Sequence, residues 1–199
     1  MGKIFCIMGK SGTGKDTVLH SLLERKDLGL VKIIPYTTRP RRTGEEDGAE
    51  YHFCSSEDLK KMESEGRVIE CRTYHTMHGE WDYFTVDDGQ IDLEKADYAV
   101  IGTLPVCEKL RNYYSKEQIV PIYIEVDDGV RLSRALGREK KQHHPKYEEM
   151  CRRFLADAED FSEERLKEAE VIHRFSNSNF EKCLDQIVKL IESETGHRR

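Results

Sequence analysis

The chain has 199 residues, of which 35% are charged and 37% hydrophobic, and its formal net charge is −6. That length makes one domain with a sizeable core, and no apolar run approaches the roughly 20 residues of a membrane-spanning helix. The acidic balance argues against general nucleic-acid binding, and the apolar run at 3–8, followed by Gly and Ser without a small-residue cleavage site, reads as a core strand and not as a signal peptide.

In chain order, a buried strand is expected at 3–8, a Gly-rich turn at 9–14, and an amphipathic helix at 15–25 with Val18, Leu19, Leu22 and Leu23 on its apolar side. A short strand at 31–35 follows. Residues 36–48, dense in Thr, Arg, Pro and Gly, read as a loop. A strand at 51–54 leads to a helix at 56–66, with Ser56 as N-cap and Glu57 and Asp58 in the first turn. Strands at 67–72 and 81–86 are joined by a turn around His78-Gly79. A strand at 98–101 precedes a helix at 105–114, and the β-branched run at 119–126 suits a parallel sheet. A helix at 128–136, a basic polar stretch at 137–145, one long helix at 148–169, a strand at 171–175 and a helix at 180–191 complete the pattern, with a frayed tail from 192.

Alternating strands and helices imply an α/β fold, a parallel sheet flanked by helices and joined by right-handed crossovers. Residues 35–88 break the alternation and read as a small β-rich insertion. Six cysteines, at 6, 54, 71, 107, 151 and 183, include no CxxC pair. Reduced thiols and a cytoplasmic location are the expectation.

Between the first strand and helix stands Gly9-Lys10-Ser11-Gly12-Thr13-Gly14-Lys15, which fits the phosphate-loop pattern Gly-x-x-x-x-Gly-Lys. Glycines let backbone N–H groups wrap a phosphate, the helix N-terminus adds its positive dipole end, and Lys15 neutralises the β- and γ-phosphates. Asp16 stands where the pattern wants Ser or Thr, and the hydroxyl comes one place later at Thr17. A magnesium ligand is therefore sought at Thr17 or Asp16. The second informative run is Thr37-Thr38-Arg39-Pro40-Arg41-Arg42-Thr43-Gly44, with Gly48 and Tyr51 beyond it. Arg39 and Arg42 can converge on one phosphate as bidentate donors, joined by the Tyr51 hydroxyl.

These two runs together, the second read as Thr-Thr-Arg-x-x-Arg-x-Gly-Glu-x-x-Gly-x-x-Tyr, resemble guanylate kinase. The resemblance implies a P-loop nucleoside monophosphate kinase fold with a core (1–34, 89–136 and 153–199), a monophosphate-binding insertion (35–88) and a lid (137–152). It also implies ATP and Mg²⁺ as co-substrate and cofactor, and GMP or dGMP as acceptor. Residue by residue, Gly9, Ser11, Gly12, Thr13, Gly14, Lys15, Asp16 and Thr17 would bind ATP, with Arg134 from the lid and Asn177 at the adenine. Arg39, Arg42, Tyr51 and Tyr83 would hold the acceptor phosphate, and Glu70 and Thr85 would read the base, with Tyr36 beside them. Lys15, Arg39, Arg138 and Arg153 would act on the transferring phosphoryl group.

Three features depart from that family. Tyr36 replaces a Ser, Gly102-Thr103 stands where the family has Asp-Ile-Asp, and the segment between Glu70 and Tyr83 is longer and holds His75, His78 and Trp81. These histidines, with His143 and His144, lack the spacing of a metal site and read as solvated loop residues. A kinase acting on another phosphorylated acceptor, such as ribose 1,5-bisphosphate, and a non-catalytic phosphopeptide-binding module are the alternatives. The expected partners are small nucleotides, with no nucleic acid and no membrane, and the chain is expected to be a monomer or homodimer.

Overall fold

The computed structural model describes residues 1–196 other than Thr43, Met77 and His78. Strand β1 (Ile4–Met8) is buried along its whole length, as a strand covered on both faces must be. It runs through the phosphate-loop residues into α1 (Lys15–Glu24), and β2 (Leu30–Lys32) follows. The chain then builds a second sheet from β3 (Tyr36–Thr37), β4 (His52–Phe53), β5 (Val68–Thr76) and β6 (Gly79–Val86), with α2 (Ser56–Ser64) between β4 and β5. It returns through β7 (Asp97–Ile101), α3 (Leu104–Tyr113), β8 (Ile119–Glu125), α4 (Asp128–Glu139), α5 (Tyr147–Asp160), α6 (Glu163–Glu168), β9 (His173–Ser176) and α7 (Phe180–Thr195).

The central sheet has the order β2-β7-β1-β8-β9, and its pairings are all parallel. Strand alternation divides the core. Phe5 and Ile7 meet the apolar faces of α1 and α7, through Val18, Leu19, Leu22, Ile187 and Ile191. Ile4, Cys6 and Met8 meet Val106, Cys107 and Leu110 of α3 on the other face. Because β1 is flanked by β7 and β8, its C-terminal end opens at the point where strand order reverses, where such sheets bind ligands. The smaller sheet has the order β4-β3-β6-β5. Its Phe84 and Val86 face Leu59 of α2, which leaves the opposite face, with Glu70, Arg72, Tyr83 and Thr85, turned away from that small core.

Several boundaries differ from the sequence expectation. Tyr36 and Thr37 form a short strand, not a loop, because they pair with both β4 and β6. The cap of α2 is Ser55, whose hydroxyl accepts from Asp58 N–H while Asp58 bonds back to Ser55 N–H. Strands β5 and β6 are longer than expected, and the expected turn residue His78 lies outside the described residues. Helix α4 continues past 136 to Glu139. The single helix expected at 148–169 is two: Phe161 turns into the core, and Ser162 caps α6 by accepting from Arg165 N–H. Helix α7 runs on to Thr195, past the expected end at 191. All six cysteines are free thiols. Among the described residues no helix is long and apolar enough to cross a membrane.

Candidate functional site

The phosphate loop leaves the C-terminal end of β1 in a shape that only glycine permits at two places. A Cβ on Gly9 would stand 2.6 Å from the Ile124 carbonyl oxygen, and Gly14 has φ 87° with Asn177 Nδ2 2.8 Å from where its Cβ would be. Thr13 is buried and closes the loop, its hydroxyl donating to the Lys10 carbonyl at 2.9 Å. Asn177 supports the loop from within. Its Nδ2 donates to the Thr13 carbonyl at 2.8 Å, which sets this amide, expected at the adenine, directly beneath the loop. Asp16 turns to solvent with 83% of its side chain exposed, which keeps its carboxylate off the loop's phosphate-facing N–H groups. Thr17 beside it is also exposed.

Lys15 heads α1 with its ammonium mostly buried. Burial pushes its pKa down; the Arg153 and Arg138 charges push the same way, against Asp16 and Asp157. Arg138, in the lid segment, and Arg153, just after it, thus both bear on the Lys15 charge although they come from different helices. Among the described residues neither Arg138 nor Arg153 spends its guanidinium on a hydrogen bond, and both side chains are exposed. Arg134 is already at the loop, donating to the Gly12 carbonyl at 3.0 Å.

Sequence reasoning missed what ties these helices to the loop. Arg131 of α4 is fully buried. Its Nε donates to the Ser11 carbonyl at 3.0 Å, its Nη2 to Asp157 Oδ2 at 3.2 Å, and its Nη1 to Asp128. Asp157 in turn accepts from the Ser11 N–H at 2.6 Å. The pair thus grips both backbone polar groups of one residue, Ser11, and Phe154 lies 4.7 Å from the Arg131 guanidinium. Asp157 sits one helical turn after Arg153, which joins the loop to that arginine.

The acceptor side is the open face of the smaller sheet. Arg39 is buried at its edge and heavily committed. It makes a two-pronged pair with Glu45 at 2.8 and 3.0 Å, and its Nε donates to the Tyr83 hydroxyl at 3.1 Å. Glu45, another residue missed in the sequence, also accepts from the Arg42 N–H at 2.8 Å, and the Arg39 guanidinium holds its carboxyl below the usual range. The Arg42 side chain is exposed and donates no hydrogen bond to a described residue, so it presents its charge freely. Tyr51 and Tyr83 meet edge to face at 5.4 Å beside Arg39, and burial raises the Tyr51 pKa. Along the strands, Glu70 pairs with Thr85 and Arg72 with Tyr83, so all four share this face.

Tyr36 is not brought to that face. It pairs with Phe84, stacks on it at 5.5 Å, and packs with the α2 cluster on the opposite side. Its hydroxyl donates to Asp88 at 2.7 Å, and burial with that bond pushes its pKa up to about 12. At the end of β7, a Cβ on Gly102 would stand 2.7 Å from Cys6 Sγ, so position 102 is crowded against the core. His143 and His144 lie side by side, and no group of three or more His, Cys, Asp or Glu able to hold a metal occurs among the described residues. His78 lies outside them, as does Thr43 of the arginine segment.

Known proteins resemble the chain in sequence and in fold. The guanylate kinase family model matches residues 1–85, from the first strand through Thr85. Curated guanylate kinase from Thermotoga maritima is 28% identical over 197 residues, spanning 97% of this chain and 87% of that protein. The Neisseria gonorrhoeae guanylate kinase is 38% identical over 105 residues, 53% of this chain and 49% of its own. The crystal structure of guanylate kinase from Anaplasma phagocytophilum superposes with a TM-score of 0.66 at 20% identity, covering 97% of this chain and 86% of that one. The chain is similar to guanylate kinases in sequence and shares their fold.

Proposed function

We propose that the protein transfers the γ-phosphoryl group of ATP to the phosphate of GMP or dGMP, giving ADP and GDP or dGDP, and that it does so in the cytoplasm. The observation that carries this reading is the convergence of Lys15 with two arginines, Arg138 and Arg153, whose guanidinium groups are unspent. The acceptor would lie on the open face of the second sheet, against Arg42, Tyr51, Tyr83 and Glu70.

In this reading the phosphate loop binds the ATP β- and γ-phosphates with its N–H groups, helped by the positive end of α1. Arg42, with Tyr51 and Tyr83, holds the acceptor phosphate, while Arg39 braces Tyr83 and the Arg42 segment through Glu45. An oxygen of that phosphate, already an anion, attacks the γ-phosphorus, and the bond to the ADP oxygen breaks. No general base and no covalent enzyme intermediate are required. Lys15, Arg138 and Arg153 neutralise charge that spreads over the equatorial oxygens, the dominant contribution in such transfers. Asp16 and Thr17, hard oxygen donors exposed beside Lys15, suit a hydrated Mg²⁺ shared with the phosphates. When bound, that ion offsets phosphate charge and orients the γ-group. Closing the insertion and the lid over the nucleotides excludes water and suppresses ATP hydrolysis.

The test is ADP release from Mg-ATP with GMP, dGMP, AMP, UMP, CMP, IMP and ribose 1,5-bisphosphate as acceptors. The reading expects GMP or dGMP to be the best acceptor. A preference for ribose 1,5-bisphosphate, or no turnover with any nucleotide, overturns it.

A further inference from the structure

Glu70 is a carboxylate only 4% exposed, on a strand face with little water to solvate it. A buried charge must be paired and hydrogen-bonded, and here both oxygens are engaged. Oε1 accepts from the Thr85 hydroxyl at 2.8 Å, and Oε2 accepts from Arg72 Nε at 3.2 Å. The Arg72 bond is informative for what it leaves over. A guanidinium has five N–H donors in a fixed fork, and Arg72 uses the Nε–H alone. Among the described residues its Nη1 and Nη2 donate to nothing. The side chain is 24% exposed, so it lies at the boundary between the buried carboxylate and the open face. It stands opposite Tyr83, and its charge reaches the Tyr51 phenol, so it belongs to the acceptor side of the site.

Each carboxylate oxygen has two lone-pair sites, so Glu70 retains capacity to accept. The strand face thus offers an acceptor beside a donor: a carboxylate and, two residues on, a guanidinium with free N–H groups. The complement of that pattern on a ring is an N–H beside a C=O, the edge of a cyclic amide. A 6-oxopurine carries it as N1–H and O6. Adenine presents the reverse along the same edge, a bare N1 against the carboxylate and an amino group against the cation.

We propose that Arg72 is a second base-reading residue, which donates to the ring carbonyl of the acceptor while Glu70 takes the adjacent ring N–H. The inference rests on the nucleotide-kinase reading above and adds to it a selectivity residue that distinguishes 6-oxo from 6-amino purines. Glu70 shares Oε2 with Arg72, so the edge read is the cyclic amide itself. IMP, which keeps that amide and lacks the 2-amino group, is therefore a ligand of the same pocket.

Titration calorimetry of GMP, IMP and AMP on the wild type, Arg72→Met and Arg72→Lys tests this. Met keeps the length and apolar stem of the side chain without its donors, and Lys keeps charge without the fork. The wild type should bind IMP at least about tenfold tighter than AMP, the worth of a hydrogen bond from a charged donor. Arg72→Met should lose about tenfold for GMP and IMP and little for AMP, with Arg72→Lys in between. Equal weakening for all three nucleotides means that Arg72 reads no part of the base, and equal wild-type affinity for IMP and AMP removes the edge-reading role; either overturns the proposal. Calorimetry needs no turnover. A wild type that binds with the expected pattern but transfers no phosphoryl group counts against the kinase reading alone.

Discussion

Asp157→Ala tests whether the buried ion pair holds the loop apex. The substitution removes the less exposed of the two carboxylates on Arg131: Asp157 is 18% exposed, Asp128 56%, and Arg131 itself 0%. It also strips the Ser11 N–H of its acceptor. Removing one partner of a buried pair costs about 3–5 kcal/mol because the other charge is left uncompensated. Asp128 stays bonded to Arg131, and Asp157 is partly screened by solvent, which puts the expected loss near the lower end, about 3 kcal/mol. For a domain of this size each kcal/mol moves Tm by about 2–4 °C, so the shift should be a fall of about 6–12 °C. Thermal and urea unfolding monitored by circular dichroism give the number. Steady-state kinetics should show a raised KM for ATP, since the freed apex must be ordered again when phosphate binds. The double variant Arg131→Met with Asp157→Leu, which replaces the pair by apolar groups, should lose less stability than Asp157→Ala, because the only carboxylate left without its arginine is the solvated Asp128. A fall in Tm below about 2 °C for Asp157→Ala, with KM for ATP unchanged, would refute the reasoning.

Lys15→Ala should lower kcat by about two to three orders of magnitude, the worth of a group that stabilises transition-state charge, with far-UV circular dichroism unchanged; near-normal turnover would remove Lys15 from the mechanism. Burial and the Arg153 and Arg138 charges lower the Lys15 pKa, and the charged ammonium is the phosphate-binding form. The kcat/KM for ATP, which reports the free enzyme, should therefore fall with rising pH at a midpoint below the ordinary lysine value, and Lys15→Arg should move that limb to higher pH. Arg42→Ala should raise the KM for GMP about tenfold with Tm nearly unchanged, while Arg39→Ala should lower Tm as well, because only Arg39 is buried in a two-pronged pair. Equal Tm losses for both would contradict that division. Tyr36→Phe removes a hydroxyl bonded to Asp88 on the far face of the sheet, so it should leave the KM for GMP within twofold, a result read from the same kinetic series.

The phosphate loop was legible from the chain because its glycines answer to local geometry: the positive φ at Gly14 and the close approach at Gly9 are needed wherever such a loop follows a strand. The arginine segment was legible for its spacing, but its division of labour was not. Arg39 and Arg42 look equivalent in the sequence, and only the fold sends Glu45 back to fasten one and leave the other free. Tyr36 was misplaced for a simpler reason. Successive strand residues face opposite ways, and its neighbour Thr37, opposite Tyr83, takes the site side. The same alternation, counted from Glu70, could have found Arg72. Arg131 offered no such signal. An arginine in a helix that begins Asp-Gly-Val-Arg reads as solvated, and its burial depends on Asp157, 26 residues away. The break between α5 and α6 was readable in retrospect from Ser162 with Glu163 and Glu164 after it, an N-cap followed by an acidic first turn.

The attachment of α4 and α5 to the loop limits how far their arginines can travel. Arg134 is fastened to Gly12 and Asp157 to Ser11, which makes these two contacts fulcrums for the segment between them. Arg138 lies four residues beyond the first and Arg153 four residues before the second, so each sits on a lever of about 6 Å at a helical rise of 1.5 Å per residue. On so short an arm, even a 20° tilt carries the backbone only about 2 Å at the arginine, whereas the residues between the helices, farther out, sweep more widely. Large excursions belong to the tip. The backbone at Arg138 and Arg153 thus moves least, and in the proposed reaction much of the order needed to gather charge at the γ-phosphate would exist before a nucleotide arrives.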